Sequence, residues 1–478
     1  MKKFIAKMYH TISPIYRKLL RIENQITQNL SDQQTKFREI ISNEMDSRND
    51  TKRQLDVVLR KLDDASTTID QLKLNQNILA QTINMLAANW ERESQKIKIL
   101  FLIHESEVWV GLESVYNKLS ADTRFDVIVA SINRKHPGST GYSGEEKVDE
   151  ELSKNKIPHI RLKNENSYID LDIIKHISPD AIFRQSEWDA DIPPAFAIKN
   201  LRFARVYNVP YEVLTLLPRI FTIPKNFEFW ESLQALFLLN NKVADLYRER
   251  ATLITARGTG SPKVDGILAE PPSWPIAKTN NKKRVFWSAH HSIFNDWDDF
   301  GAFREYYNIM FNLAKSHPEI DWVFSMHPAL NGAFERLSRE SPIETKRIRE
   351  TIAKWDNLPN TATLRHGGYI GPMKASDLIV TDGISILTEG QLTKTPILWL
   401  ERPGHTPFNP IGEEIIKGVN VFAKYTDFRE TEKQILHFLD SGQDTKKRFR
   451  EINYKFLTQN LGAAERIVNS IKADFNLK

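Results

Sequence analysis

Twelve histidines occur in this 478-residue chain, and five of them stand directly after short apolar runs in its second half. "RVFWSA" is followed by His290, His291 and Ser292, and "WVFSM" by His327. "TATLR" is followed by His366, and "ILWLERPG" by His405. A fifth run, "SDLIV", ends in Thr381, Asp382, Gly383 and Ser385. One histidine beside a strand is ordinarily held by a backbone carbonyl. Several at one sheet edge suit a common ligand. Histidines, hydroxyls and a helix amino-terminus together suit phosphate oxygens. Thr381 and Ser385 can cap a helix starting near Ile384, whose free N–H groups face an anion. Glu389 lies four residues beyond Ser385, on the same helix face. A carboxylate there repels phosphate but can accept both hydroxyls of a ribose, so the pattern reads as a nucleotide site. The competing idea is a metal held by the histidines. Against it, they do not recur at i, i+3 or i+4 on one helix, and carboxylates near them are few.

Parallel sheets place such residues. In the second half the strand–helix alternation runs through "RVFWSAH", "DWVFSMHP", "TATLRHG", "SDLIVTD", "TPILWLER" and "NVFAK". The first half has its own series: Lys96–Ile103, Phe125–Ser131, His176–Gln185, Ala204–Pro210, Ala235–Asn241 and Ala251–Gly258. Amphipathic segments such as Ser114–Leu119, Asp170–His176 and Asn241–Arg250 lie between these strands. Continuous apolar strands alternating with such helices indicate α/β units with both sheet faces covered. "LAEPPSWPIAKTNNKKR" has the chemistry of a linker. The expected division is therefore a stalk at 1–95, a unit at 96–265, a linker at 266–281 and a unit at 282–478. Ligands of open α/β sheets bind beyond the carboxyl ends of the strands, which places the site in the cleft between the units. "GTGSPKVD" (Gly258–Asp265) stands at the hinge, where Gly258 and Gly260 permit a tight turn and close backbone approach.

The stalk differs in texture. Leu55, Leu62, Ile69, Ile83 and Trp90 share one heptad position, and Val58, Ala65, Leu72, Leu79 and Leu86 the other. Gln76 interrupts the seam, and Glu44, Arg48 and Thr51 break its backward extension. This frame predicts an oligomerising coiled coil; a helix folded back on the globular part is the alternative. Residues 1–22 hold six Lys and Arg and no acidic residue, beside Phe4, Met8, Ile12, Ile15 and Leu19 at helical spacing. That pattern suits peripheral contact with an anionic membrane, and equally the solvated start of a helix.

Bulk composition limits the function classes. About 150 residues per domain suggests roughly three folding units. The net charge of +5 is too weak for a dedicated nucleic-acid binder. Zero cysteines exclude disulfides, thiolate catalysis and cysteine-type metal sites. No apolar run approaches the roughly 20 residues of a spanning helix. The expected location is the cytoplasm, at the inner face of the cell membrane.

Several motifs resemble one family over about 97–440. "SDLIVTDGISILTEGQLTKTPILWL" resembles the Ser-Asp-x-x-Ile-Thr-Asp-x-x-Ser motif of the CDP-glycerol glycerophosphotransferases, enzymes that build teichoic-acid-type polymers. "FSMHP" and "WSAHHSI" are similar to the family's strand-end histidine loops. "GTGSPKVD" resembles the Val-Thr-Gly-x-Pro-x-x-Asp turn of two-domain GT-B transferases, and His176–Tyr211 the amino-terminal unit of the family's Gram-negative relatives. The resemblance implies a GT-B fold and a CDP-activated polyol donor used without a cofactor or metal. It also implies a glycan or lipid-linked glycan acceptor, with His327, the 290–292 loop and the Ser385 helix end on the diphosphate. The family's catalytic His-Gly is replaced here by "NVPYEV" (Asn208–Val213), which contains no histidine. His104, after the first strand, is the substitute candidate for the base, and Tyr211 a further one. Two other readings share these residues: a nucleotide-sugar glycosyltransferase of capsule or lipopolysaccharide synthesis, and a non-catalytic scaffold organised by the coiled coil.

Overall fold

The computed structural model describes residues 25, 28–29, 31–36, 57–62, 96–106, 109–135, 141–218, 224–251, 253–277, 281–294, 300–327, 329–365, 367–441 and 444–477. The chain divides into two compact units, Met1–Gln76 and Asn77–Lys478. The described residues of the first unit are helical, and at 57–62 the two least exposed side chains, Val58 and Leu62, are seam positions of the heptad. Most of the predicted coiled coil, and all of the basic start at 1–22, lie outside the described residues.

The second unit holds two sheets. The first has seven strands, β1 (Ile97–Ile103), β2 (Phe125–Ile132), β3 (Ile160–Leu162), β4 (Ala181–Arg184), β5 (Arg205–Asn208), β6 (Ala235–Leu238) and β7 (Ala256–Gly258). Their order is 3-2-1-4-5-6-7. The second has six, β8 (Lys283–Ala289), β9 (Ile320–Met326), β10 (Thr361–Leu364), β11 (Leu378–Thr381), β12 (Ile397–Leu400) and β13 (Asn420–Phe422), in the order 10-9-8-11-12-13. Every pairing in both sheets is parallel. The α/β expectation of two parallel sheets therefore holds. β3 was not foreseen, because three residues at a sheet edge carry too little apolar sequence to register.

The strands form because both of their faces are covered. Ile99, Phe101, Ile103, Ala181 and Phe183 are each fully buried, so "KILFLI" and "AIFR" read as unbroken apolar runs rather than alternating ones. Aromatic rings step across the first sheet from β1 to β6. Phe101 stacks on Phe183 at 4.6 Å, Phe183 on Tyr207 at 5.6 Å, and Tyr207 on Phe237 at 5.7 Å. In the second sheet Trp287 stacks on Phe324 at 4.0 Å.

The last helix, Ala463–Asp474, belongs to the first sheet's core, where Ala464, Ile467, Val468 and Ile471 pack. The expected second unit ran to 478, so the chain crosses back before its end. Asp265 receives that helix: its carboxylate accepts the N–H of Gly462 at 3.0 Å and of Ala463 at 2.7 Å. At the other end Asp474 pairs with Arg257 at 2.8 Å and accepts the Tyr207 hydroxyl at 2.9 Å. The helix Pro262–Ala269 also carries the chain beyond the expected unit boundary at 265.

The hinge glycines have packing reasons. A Cβ on Gly258 would overlap the backbone of Asn240 and Asn241, and one on Gly260, whose φ is +98°, would overlap the Asn460 carbonyl. Gly260→Ala is therefore expected to destabilise the protein by more than about 2 kcal/mol, from strain plus overlap. Asp265→Ala, which removes a two-bond cap, should cost about 1–2 kcal/mol. Urea unfolding of both variants checks this ranking, and equal losses would contradict it.

Candidate active site

The two sheets have the same layout around a topological switch point, where the chain reverses its direction of growth across the sheet. In the second sheet this point lies between β8 and β11. Asp382, the first residue after β11, accepts the backbone N–H of His290, the first residue after β8, at 2.6 Å. Its other oxygen accepts the N–H of Ala302 at 2.7 Å. Asp382 is fully buried, and burial raises its carboxyl to about 6 against the pull of those N–H donors. It pins the histidine loop. With both oxygens occupied by protein, the nucleotide contact expected of it becomes a positioning task.

Three of the five strand-end histidines converge. The ring centroids of His290 and His291 are 4.4 Å apart, those of His291 and His327 are 4.4 Å apart, and those of His290 and His327 are 5.9 Å apart. Ser292 fixes His290: its Oγ lies 2.6 Å from His290 Nδ1 and accepts the N–H of Gly301 at 3.0 Å. The Ser292 backbone N–H also reaches His290 Nδ1 at 3.3 Å, which makes Nδ1 the acceptor and leaves the imidazole hydrogen on Nε2. His327 Nδ1 accepts the N–H of Ala329 at 3.1 Å, so the same tautomer follows. Burial holds His290 well below the usual histidine range, with further depression from His291 and His327. Burial, then His291, Arg134 and Lys263, hold His327 at about 3. At neutral pH His290 and His327 are uncharged N–H donors.

His405 does not join them. One ring nitrogen meets Glu401 at 3.2 Å and the other meets the Thr406 carbonyl at 2.8 Å, while Phe300, Trp399 and Phe408 surround the ring. It sits beyond β12, too far along the sheet edge, and its role is structural. His366 lies outside the described residues.

The helix Ile384–Glu389 starts where expected, but its capping differs. No side chain caps it at Gly383. Thr381, fully buried, accepts the N–H of Gly383 at 2.8 Å and so braces the turn instead. Ser385 is exposed on the first turn. Glu389 is 1% exposed and already engaged: Lys263 Nζ lies 2.7 Å from Oε1, and the Tyr369 hydroxyl donates to Oε2 at 2.6 Å. Lys263 belongs to the hinge motif after β7, so this pair ties the first sheet's strand ends to the second's. Burial alone would lower the Lys263 ammonium, but Glu389 and Tyr369 outweigh it and hold it above the usual lysine range. The hinge motif thus places a lysine at the site, whereas its glycines serve packing.

The first sheet's switch point lies between β1 and β4. Gln185 Oε1 accepts the N–H of His104 at 2.9 Å and of Glu105 at 3.0 Å. His104 is 6% exposed. Glu105 pairs with Arg134 at 2.6 Å. Tyr211 keeps 36% of its surface exposed and borders the open side. The protein packed around its phenol, with Glu212 and Glu187, still pushes it above the usual tyrosine range. Two carboxylates beside it escaped the sequence reading. Glu187 follows β4, is 4% exposed, and leaves Oε1 without a hydrogen bond. Glu212 follows β5 and accepts the Thr215 hydroxyl. Burial and the Glu212 charge raise Glu187 to about 8, against Arg184. Burial raises Glu212 to about 7, against Thr215 and Lys263. Both follow strands of the first sheet as the histidines follow strands of the second, a placement visible in the sequence.

These shifts fix the sign of a stability test. Glu187 is raised in the folded chain relative to an ordinary carboxyl near 4.5. Its burden is therefore absent below about pH 4.5 and grows as pH rises toward 8. Glu187→Gln should raise the melting temperature little at pH 5 and more at pH 8. A gain independent of pH would show that Glu187 is ionised in the fold.

No protein-family model matches the sequence, and no curated protein matches it. Solved structures do. The UDP-GlcNAc 2-epimerase of Neisseria meningitidis bound to UDP-GlcNAc is 14% identical, with a TM-score of 0.51 over 79% of this chain and 100% of that one. A putative UDP-N-acetylglucosamine 2-epimerase of Listeria monocytogenes is 15% identical, with a TM-score of 0.52 over 80% and 97%. The Methanocaldococcus jannaschii UDP-GlcNAc 2-epimerase in complex with UDP-GlcNAc and UDP is 14% identical, with a TM-score of 0.50 over 79% and 100%. At these identities the likeness shows the fold, and that fold is GT-B, two Rossmann-like domains with parallel sheets.

Proposed function

We propose that the chain is a transferase of cell-surface glycan synthesis. It moves a polyol phosphate from a CDP-activated donor to a glycan hydroxyl and releases CMP. The observation that carries this reading is the cluster of His290, His291 and His327 at the second sheet's switch point, with His290 and His327 held uncharged by burial. Neutral Nε2–H groups donate to phosphate oxygens without attracting a carboxylate of their own. Lys263 and Arg134 are each paired with a carboxylate, Glu389 and Glu105, so the diphosphate is met by N–H donors rather than by unpaired cations. Ser385, exposed at the start of its helix, adds a hydroxyl donor.

The acceptor oxygen attacks the donor's β-phosphorus. The new O–P bond forms as the bridging P–O bond breaks, and CMP leaves with the bridging oxygen. The acceptor proton needs a base. Glu212 fits this task better than His104 or Tyr211. It is half-buried rather than sealed, and its carboxyl lies near neutrality, where a general base works best. It also occupies the "NVPYEV" segment, the place where the family's histidine is missing. Glu389, held by Lys263 and Tyr369, keeps lone pairs that a ribose hydroxyl can use. A nucleotide-sugar donor is the second reading, because the solved neighbours of the same fold hold UDP-GlcNAc or UDP.

Incubation with CDP-glycerol, CDP-ribitol and UDP-sugars should release CMP from a CDP donor; UDP release alone would select the second reading, and no release from any donor would support the scaffold. His327→Ala should lower kcat by about 10²–10³, as loss of a charge-stabilising donor does, with the melting temperature kept. Glu212→Gln should lower kcat by about 10²–10⁴. In the parent, kcat/KM should rise with pH and level off above about 7, and that rising limb should vanish in Glu212→Gln.

A further inference from the structure

The helix Lys447–Leu457 is anchored by apolar and polar side chains together. Leu457 is 1% exposed in the core, with Tyr454 and Phe456 packed against it. Arg450 is 1% exposed, pairs with Asp444 and donates to the Gly418 carbonyl at 3.1 Å. Asn453 is 5% exposed and donates to Gln391 at 2.7 Å. Among the exposed charged residues of its outward face stand two large apolar side chains, Phe449 at 40% and Ile452 at 55% exposure. Spacing of i and i+3 puts the two side by side. Neither contributes to the fold by facing water, so the pair is built for something else.

The charges beside the pair select the occupant. Lys447, Arg448 and Lys455 are exposed on the same helix, and Lys242 lies over the Phe456 ring at 5.7 Å. The acids nearby are Glu451 and Glu414, and Glu414 is matched by Lys417 at 2.5 Å. Apolar side chains sink into the headgroup boundary of a bilayer while Lys and Arg meet anionic headgroups. We propose that this helix is a docking surface for an anionic membrane. A membrane-bound acceptor is then presented to the enzyme at this surface; among the described residues no helix is long and apolar enough to cross a membrane. The surface is separate from the basic start at 1–22 and from the choice of donor, and neither has to hold for it.

The test is co-sedimentation of the full chain with vesicles of phosphatidylcholine alone and of phosphatidylcholine with phosphatidylglycerol. Binding is expected only to the anionic vesicles. Phe449→Glu with Ile452→Glu should weaken it at least about tenfold, since apolar contact is lost and acid is added. Lys447→Glu with Arg448→Glu should weaken it by about fivefold or more per residue and flatten its salt dependence. All four positions are exposed, so melting temperatures should hold. Unchanged binding in both variants, equal binding to neutral vesicles, or no binding by the parent would overturn the proposal. So would an effect of the apolar pair on oligomeric state alone, which would make it a contact between copies of the chain.

Discussion

A single buried ion pair, Lys263 with Glu389 at 2.7 Å, joins the strand ends of one sheet to those of the other. Burying two charges costs several kcal/mol each unless they meet in good geometry and satisfy their remaining bonding capacity. Tyr369 provides part of that satisfaction at the second carboxylate oxygen. The pair therefore constrains three things together: where the hinge helix Pro262–Ala269 begins, how the helix Ile384–Glu389 is turned, and which charge faces His327. A site built across two sheets needs such a constraint, because each sheet alone offers only half of the groups.

Around this pair the two sheets repeat one device. In each, the residue after the strand beyond the switch point reaches back to the backbone of the residue after the first strand. Gln185 holds His104 in this way, and Asp382 holds His290, with the same offset from the paired positions Leu102–Arg184 and Ser288–Thr381. The side chains differ, but the geometry is shared. It holds each loop's backbone from outside the loop, while Ser292 orients the His290 ring from within it. Burial first, and then the neighbouring imidazoles, hold His290 and His327 uncharged.

The outward pair on Lys447–Leu457 is the opposite arrangement, a surface rather than a cleft. Arg450 and Asn453 anchor the helix by hydrogen bonds and Leu457 by burial, while Phe449 and Ile452 stay at the surface. The same economy appears at Asp265, which caps the crossing helix and leaves Lys263, two residues earlier, to serve the cleft.

Much of this was legible in the sequence. Buried parallel strands are continuous apolar runs, so twelve of thirteen strands could be found from composition alone; β3 is too short to leave that trace. The polar residues at strand ends were equally visible, and His290, His291 and His327 are among them. What the sequence could not decide is what each one touches. His405 and His327 follow similar strands, yet one is spent on Glu401 and Thr406 while the other faces Arg134 and Lys263. Asp382 looked like a ligand contact and is a pin. Glu389 looked free and is held. Strand identity depends on local pattern, which one sequence contains. Partnership and protonation depend on which residues, 90 or 130 apart in the chain, the sheet order brings together, and on how much water that contact leaves.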